Sequence, residues 1–407
     1  MLGDGASSRI AANVCETKTL SPDVSCRYIT LSHRWGGATM LKLEESNIDV
    51  FRREIPIDQL STLMKDAMYM THQLGIVYIW IDCLCIIQGS KKDWEVETTR
   101  MGDYYRYAQC NISASGYKDS SLGLFTKRVA LPLLNYPIRT DFALASEGDR
   151  QDEETHYLGI YTRANPSDFG DIIDGPLGSR GWIVQERALS PGILHFTPRQ
   201  MWWECEEHVV NETFPTITLP WYSSQEPGEG ALRSIHATSS LAEIYKAWQG
   251  FVWQYASTNL SFETDRFPAF IGIARIYDGL LNDNFVAGLW EGDLVRSLLW
   301  ELYEKARRIP PVQIAPSWSW AALPLAHYSP SIGSPMNGIH FEVLSKIPNL
   351  KSDLGTTTFE KSSVQGLAMK GPLRRISGKL DDLPHWKDFA TIVNTQNDME
   401  DASVFSG

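Results

Sequence analysis

The feature that most limits what this chain can become is the run from Ile76 to Ile87, IVYIWIDCLCII, apolar almost throughout but broken by Asp82. It is the longest apolar stretch, yet it falls short of the roughly 20 residues a bilayer-spanning helix needs, and an acid in its middle would be costly in lipid. A strand apolar on both faces fits instead, the pattern of a parallel sheet covered by helices. Ile76–Asp82 is therefore read as a buried strand, and no membrane span is expected.

The flanking segments extend this into an alternation. YITLS (Tyr28–Ser32) is a short β-prone segment that ends at HRWGG, where two glycines allow a sharp turn. Asp58 is placed to cap a helix with apolar Leu60, Leu63, Met64, Ala67 and Leu74, ending before Gly75. SKKD (Ser90–Asp93) has the form of a capping box, and Trp94, Glu97, Met101, Tyr104 and Ala108 then advance by three and four residues along one helix face, which puts Glu97 in the inward stripe. Asn111–Ala114 is a further short strand. Strand alternating with helix predicts an α/β sheet, mostly parallel, whose ligands gather at the carboxyl ends of the strands, here His33–Gly37 and the segment after Asp82.

Further on, Thr126–Gly178 is loop-rich with a solvated acidic patch at Glu147–Glu154. SRGWIVQER (Ser179–Arg187) reads as a short helix, and Ile193–Phe196 with Met201–Cys205 as a pair of strands. Thr216–Arg233, rich in Pro, Gly, Ser and Glu without periodicity, is the candidate boundary. It separates a first domain, 1–215, with motifs at 28–205, from a helix-rich region, 234–407, that packs on it; the linker is 216–233. Helical patterns occur around Leu241–Tyr255, Phe267–Leu280 and Asp293–Tyr303.

Charge and cysteines narrow the function classes. A formal charge of -12 argues against a nucleic-acid partner, which calls for a basic patch. The N-terminus lacks the basic start and apolar core of a secretory signal, and six scattered cysteines favour reduced thiols, so a cytoplasmic setting is expected. Cys205 and His208, with His195 and Glu204 nearby, lack the second paired motif of a zinc site, so no metal is expected. Phosphate-binding loops, dinucleotide fingerprints and nucleophile elbows are absent from the sequence.

Three segments, YITLSHRWGG, LGIVYIWIDCLCIIQGSKKDWEVETTRMGDYYRYA, and SRGWIVQERALSPGILHF with QMWWEC, resemble in order and spacing the fungal heterokaryon incompatibility (HET) domain family. TDRFPAFIGIA, YDGLLNDNFVAGLWEGDLVRSLLW and APSWSWA resemble the region after the domain in many members. The chain departs at His33, where many members carry tyrosine, and at Gly89, where many carry an acid. The resemblance implies a fungal protein of non-self recognition between fused cells and of the programmed cell death that follows. It also implies a TIR-like, flavodoxin-like sheet with helices on both faces, elaborated by β-hairpin insertions. Some TIR domains cleave NAD, and Trp94–Glu97 is similar to the W-x-x-E of a TIR helix that carries a catalytic glutamate.

On that analogy Glu97 is the candidate catalytic residue and NAD the candidate substrate, with no cofactor required. Loss of nicotinamide from NAD leaves positive charge on the ribose, which one fixed carboxylate can steady. The alternative for Glu97 is a structural ion pair with Arg34 or Arg180. Candidate ligand-binding residues are His33, Arg34, Trp35, Gly36, Asp82, Trp94, Arg180, Gln185 and Glu186. Arg34 is suited to a pyrophosphate and Trp35 to stacking on a ring. Each has a structural alternative: a packed Trp35, an Asp82 that orders the next loop, and a Gln185–Glu186 pair that anchors its helix through Arg180. A non-enzymatic module that signals by self-association or through a recognition partner protein stays open beside the enzyme, as does recruitment of the fold to small-molecule biosynthesis.

Overall fold

A polar face and an apolar face alternate along YITLS, and the sheet is built on that alternation. In the computed structural model, which describes residues 11–19, 26–36, 40–126, 167–212, 215, 239–298, 300–302, 314–316, 318–322, 328–329, 342–343, 367–370 and 403–405, Tyr28–Ser32 is the first strand, β1. It is followed by α1 (Ile48–Phe51), α2 (Thr62–Gln73), β2 (Tyr78–Trp80), α3 (Asp82–Cys85), α4 (Lys91–Arg106) and β3 (Cys110–Ser113). After α5 (Ser167–Ile173) come α6 (Gly181–Leu189), β4 (Gly192–Phe196), β5 (Met201–Cys205) and β6 (Val209–Asn211). The six strands form one mixed sheet in the order β2-β1-β3-β4-β5-β6. The first four are parallel and the last two add an antiparallel meander. The chain thus turns back on itself between β1 and β3, and in open parallel sheets that switch point is where a crevice forms at the carboxyl ends of the strands.

Each face has its own core. Ile29, Leu31, Cys110 and Ile112 pack against Leu63, Met64 and Ala67 of α2. On the other face lie Thr30, Ser32, Asn111, Ser113 and His195, in register across β1, β3 and β4 and beneath α4 and α6. Helices therefore cover both faces. Beyond the sheet, α7 (Leu241–Ala256) and α8 (Ile271–Leu281) bring a second apolar layer, followed by β7 (Phe285–Val286), β8 (Leu289–Trp290) and α9 (Leu294–Ser297). Trp248 is its hub, with ring centroids 5.0 Å from Tyr277, 5.5 Å from Trp290, 5.7 Å from Phe251 and 6.0 Å from Phe270. This layer is continuous with Trp80, Met101, Tyr105, Val184 and Leu189 of the sheet-forming part. The contact is close because Gly102 of α4 meets Gly272 of α8: a Cβ on Gly102 would lie 2.9 Å from the Gly272 Cα.

Several expectations are corrected. The strand read as Ile76–Asp82 covers only Tyr78–Trp80, and it is an edge strand, with Val77 84% exposed; Asp82 instead opens α3, whose N-terminal end favours an acid. Ser61, not Asp58, caps α2, accepting from the Met64 N–H at 3.3 Å. Ser90 holds the N-cap position of α4 without a side-chain bond, and Asp93 reaches back to the Ile87 N–H at 2.7 Å in place of a capping box. The buried stripe of α4 is Thr98, Met101, Gly102 and Tyr105, so Glu97 sits at its edge rather than within it: 3.6 residues per turn carries the row around the helix. The pattern read as Phe267–Leu280 starts as a helix only at Ile271, and that around Asp293–Tyr303 shrinks to α9. The acidic patch 147–154 and the linker 216–233 lie outside the described residues. Among the described residues no helix is long and apolar enough to cross a membrane.

Candidate functional site

The carboxyl ends of β1 and β2 meet the start of α6 at one place. After Ser32, the chain leaves the sheet through His33, whose side chain is 1% exposed; Arg34 is exposed and Trp35 half-buried. The next residue has to be glycine: Gly36 has φ +71°, and a Cβ there would fall 2.2 Å from the Asp119 Cβ. Asp82 faces this turn from the end of β2. One of its oxygens accepts from the Trp35 indole N–H at 2.8 Å and the other from the Cys83 N–H at 2.6 Å; the latter oxygen is 3.9 Å from Nδ1 of His33. Arg180, at the N-cap of α6, donates to the His33 carbonyl, and Arg34 reaches the Pro176 carbonyl at 3.4 Å. His33, Trp35, Asp82 and Arg180 are therefore brought together by direct contacts among side chains and backbone.

Electrostatics follow from burial. Burial pushes the His33 imidazole below its ordinary range, against the pull of Asp82, so the ring is neutral near pH 7. The Cys83 thiol is pushed well up by burial and the Cys85 thiol up to about 12, which makes neither a ready nucleophile.

Behind the turn lies a buried polar chain that was only partly foreseen. Thr30 donates to Asn111 at 3.1 Å, Asn111 to Ser32 at 2.9 Å, and Ser32 to the carboxylate of Glu186. Burial raises the Glu186 carboxyl to about 7, opposed by Arg180, Ser32 and Tyr105. The three consecutive side chains of α6 serve three tethers. Gln185 accepts from the Gly272 N–H of α8 at 2.7 Å, Glu186 binds β1, and Arg187 pairs with Glu204 of β5 at 2.9 Å. Glu204 also meets His195 at 2.8 Å, and His195 meets Ser115 at 2.8 Å. His195 and Glu204 are thus tied into the sheet. Ser32, Tyr105, Asn111, Ser115 and Arg187 were not singled out in the sequence; the alternation that puts Thr30 and Ser32 on one face of YITLS was the signal for the first.

Glu97 is set apart from Arg34 and Arg180. Its carboxylate accepts from the Tyr104 hydroxyl at 2.6 Å and lies 3.9 Å from the Arg100 guanidinium, with its side chain 17% exposed. Tyr104 in turn stacks on Trp80, centroids 5.1 Å apart, and burial, then Glu97, pushes its hydroxyl upward. Asp82 and then Glu97 add, after burial, to the upward push on the Cys85 thiol. Trp94 is half-buried in the first turn of α4.

No curated protein and no solved structure matches the chain. A family model does: residues 28–186, from the first residue of β1 to the carboxylate that binds Ser32, match the family described as Heterokaryon incompatibility protein (HET). The matched segment holds the strand-end turn, Asp82, α4 and most of α6, and it is similar to the HET family in this stretch.

Proposed function

We propose that the chain acts in non-self recognition of the heterokaryon incompatibility kind, and that its HET domain does so by cleaving NAD at the nicotinamide–ribose bond, a step toward programmed cell death. The observation that carries this reading is the meeting of His33, Trp35, Asp82 and Arg180 at the strand ends beside the β1/β3 switch point, with Glu97 one short helix away. In NAD the nicotinamide is a cation and departs neutral, so the bond needs little acid. As C1′–N cleaves, positive charge develops on the ribose; a fixed carboxylate steadies it, water adds to C1′, and a proton goes to solvent. Glu97 suits the role because Tyr104 holds one of its oxygens. Arg34 is exposed on the rim, where a pyrophosphate would arrive.

A second reading, a module that signals by self-association, is favoured by one observation: among the described residues the outer edge of β2 pairs with no other strand, and Val77, just before it, is 84% exposed. Incubating the full chain with NAD separates the two. The enzyme reading expects release of free nicotinamide that Glu97→Gln lowers at least about a hundredfold while the fold persists, the scale lost with one preorganised electrostatic group. Absence of release at every protein concentration, including those at which the chain assembles, would leave the assembly reading.

A further inference from the structure

The buried imidazole at the end of β1 has a second peculiarity. Neither ring nitrogen of His33 has a hydrogen-bond partner of good geometry among the described residues, although a buried polar group left unsatisfied costs about 1–3 kcal/mol. The nearest carboxylate oxygen, on Asp82, is 3.9 Å from Nδ1, too far for a hydrogen bond. That spacing is a few tenths of an ångström beyond the roughly 3.3–3.6 Å that separates two ligands of one tetrahedral ion whose bonds are about 2.0–2.2 Å long. A third donor completes the group: His33, Asp82 and Cys83 each offer one ligand atom, all within 4.8 Å of one another. Cys85, two residues on, is engaged differently, its sulfur accepting from the Ile81 N–H at 3.4 Å.

We propose that His33, Asp82 and Cys83 form a mononuclear site for a borderline-soft divalent cation, zinc foremost, with its fourth position open. Imidazole, carboxylate and thiolate together select zinc over magnesium or calcium, which take oxygen donors. Three protein ligands leave the vacancy typical of a zinc that binds water or a substrate oxygen. The supporting layer is built: the Trp35 indole N–H holds the Asp82 oxygen that is not shared with Cys83, orienting the carboxylate. Binding converts the Cys83 thiol to thiolate and releases its proton to solvent, so no redox partner is involved. Small side-chain rotations draw the three donors in to bonding distance. Asp82, 20% exposed, marks the entry path.

The test uses the full chain, stripped of metal under reducing conditions and titrated with cobalt(II). The site predicts one cobalt per chain, with tetrahedral visible bands and a thiolate-to-cobalt charge-transfer absorption, both displaced by zinc. Cys83→Ser abolishes the charge-transfer absorption and Cys85→Ser keeps it. His33→Gln lowers zinc affinity at least about tenfold, and Trp35→Phe lowers it about 10–100-fold by freeing the carboxylate. Circular dichroism of each metal-free variant confirms that it is folded, and if Cys83→Ser does not fold, His33→Gln and Trp35→Phe decide by the same titration. No stoichiometric binding, or an absorption that survives Cys83→Ser and is lost instead with exposed Cys15, overturns the proposal. These readouts do not depend on NAD cleavage, so each reading can fail alone.

Discussion

At the level of single residues, the carboxyl of Glu186 is the most informative. It is fully enclosed, hydrogen-bonded to Ser32, and raised from 4.5 to about 7 by burial. An acid raised on folding binds its proton more tightly in the folded state. The folded chain therefore holds one more proton than the unfolded chain between pH 4.5 and about 7, and its stability falls as pH climbs through that window. The full effect is on the order of 3 kcal/mol, at about 1.4 kcal/mol per pH unit. Glu186→Gln keeps an acceptor for Ser32 and removes the titration. Urea denaturation from pH 4.5 to 7.5 should show the downward slope flattened in the variant; an unchanged slope would mean that another group carries it. Glu186 was legible in the sequence as an anchor, but its partners were not. Ser32 is 154 residues away along the chain and Asn111 is 79 from Ser32, and nothing local in SRGWIVQER or YITLS encodes that pairing. Glu97 shows the converse. Its helix and its position near the inner face followed from three-and-four spacing, while its partner did not, because Arg100 lies one turn along its own helix rather than on the strand-end loop.

Among the elements, order and type were readable and edges were not. Short apolar runs separated by amphipathic helices gave the parallel part of the sheet, since a strand-to-strand crossover through a helix enforces parallel pairing. The third strand of the meander, β6, went unseen: VVN is too short to show a period. The run IVYIWID overstated β2 because its exposed start, Val77, belongs to an edge, where an apolar pattern no longer implies two covered faces. The crossing of α4 and α8 supplies a test at this scale. Replacing a helix-interior glycine by alanine ordinarily gains up to about 1 kcal/mol. At Gly102 the new methyl would lie 2.9 Å from the Gly272 Cα and 3.1 Å from a Leu189 methyl, and overpacking costs roughly 1–3 kcal/mol. Backbone cannot step aside as a side chain can, so Gly102→Ala should lower the urea midpoint. A midpoint raised by the substitution would show that the helices are further apart.

For the whole molecule, the HET segment and the helices that follow it share one apolar cluster, from Trp80 and Met101 through Val184 to Trp248, Phe270 and Trp290. Cooperative unfolding as one unit follows. Trp248→Ala, which empties the hub at a cost of about 3–5 kcal/mol, should shift the far-ultraviolet and tryptophan-fluorescence transitions together. A separate transition untouched by the substitution would divide the molecule in two. That shared core also fixes α6, whose Gln185, Glu186 and Arg187 tie α8, β1 and β5 to one another, and so holds Arg180 against the strand-end turn. The account stands on that turn as a nucleotide site. Its most direct measurement is isothermal titration of the folded full chain, in its Glu97→Gln form, with an NAD analogue whose nicotinamide–ribose bond cannot be cleaved. The account predicts one site per chain, weakened at least about tenfold, or about 1.4 kcal/mol, by Arg34→Ala, whose side chain is exposed and holds no core together. No binding heat, or binding indifferent to Arg34→Ala, would contradict it.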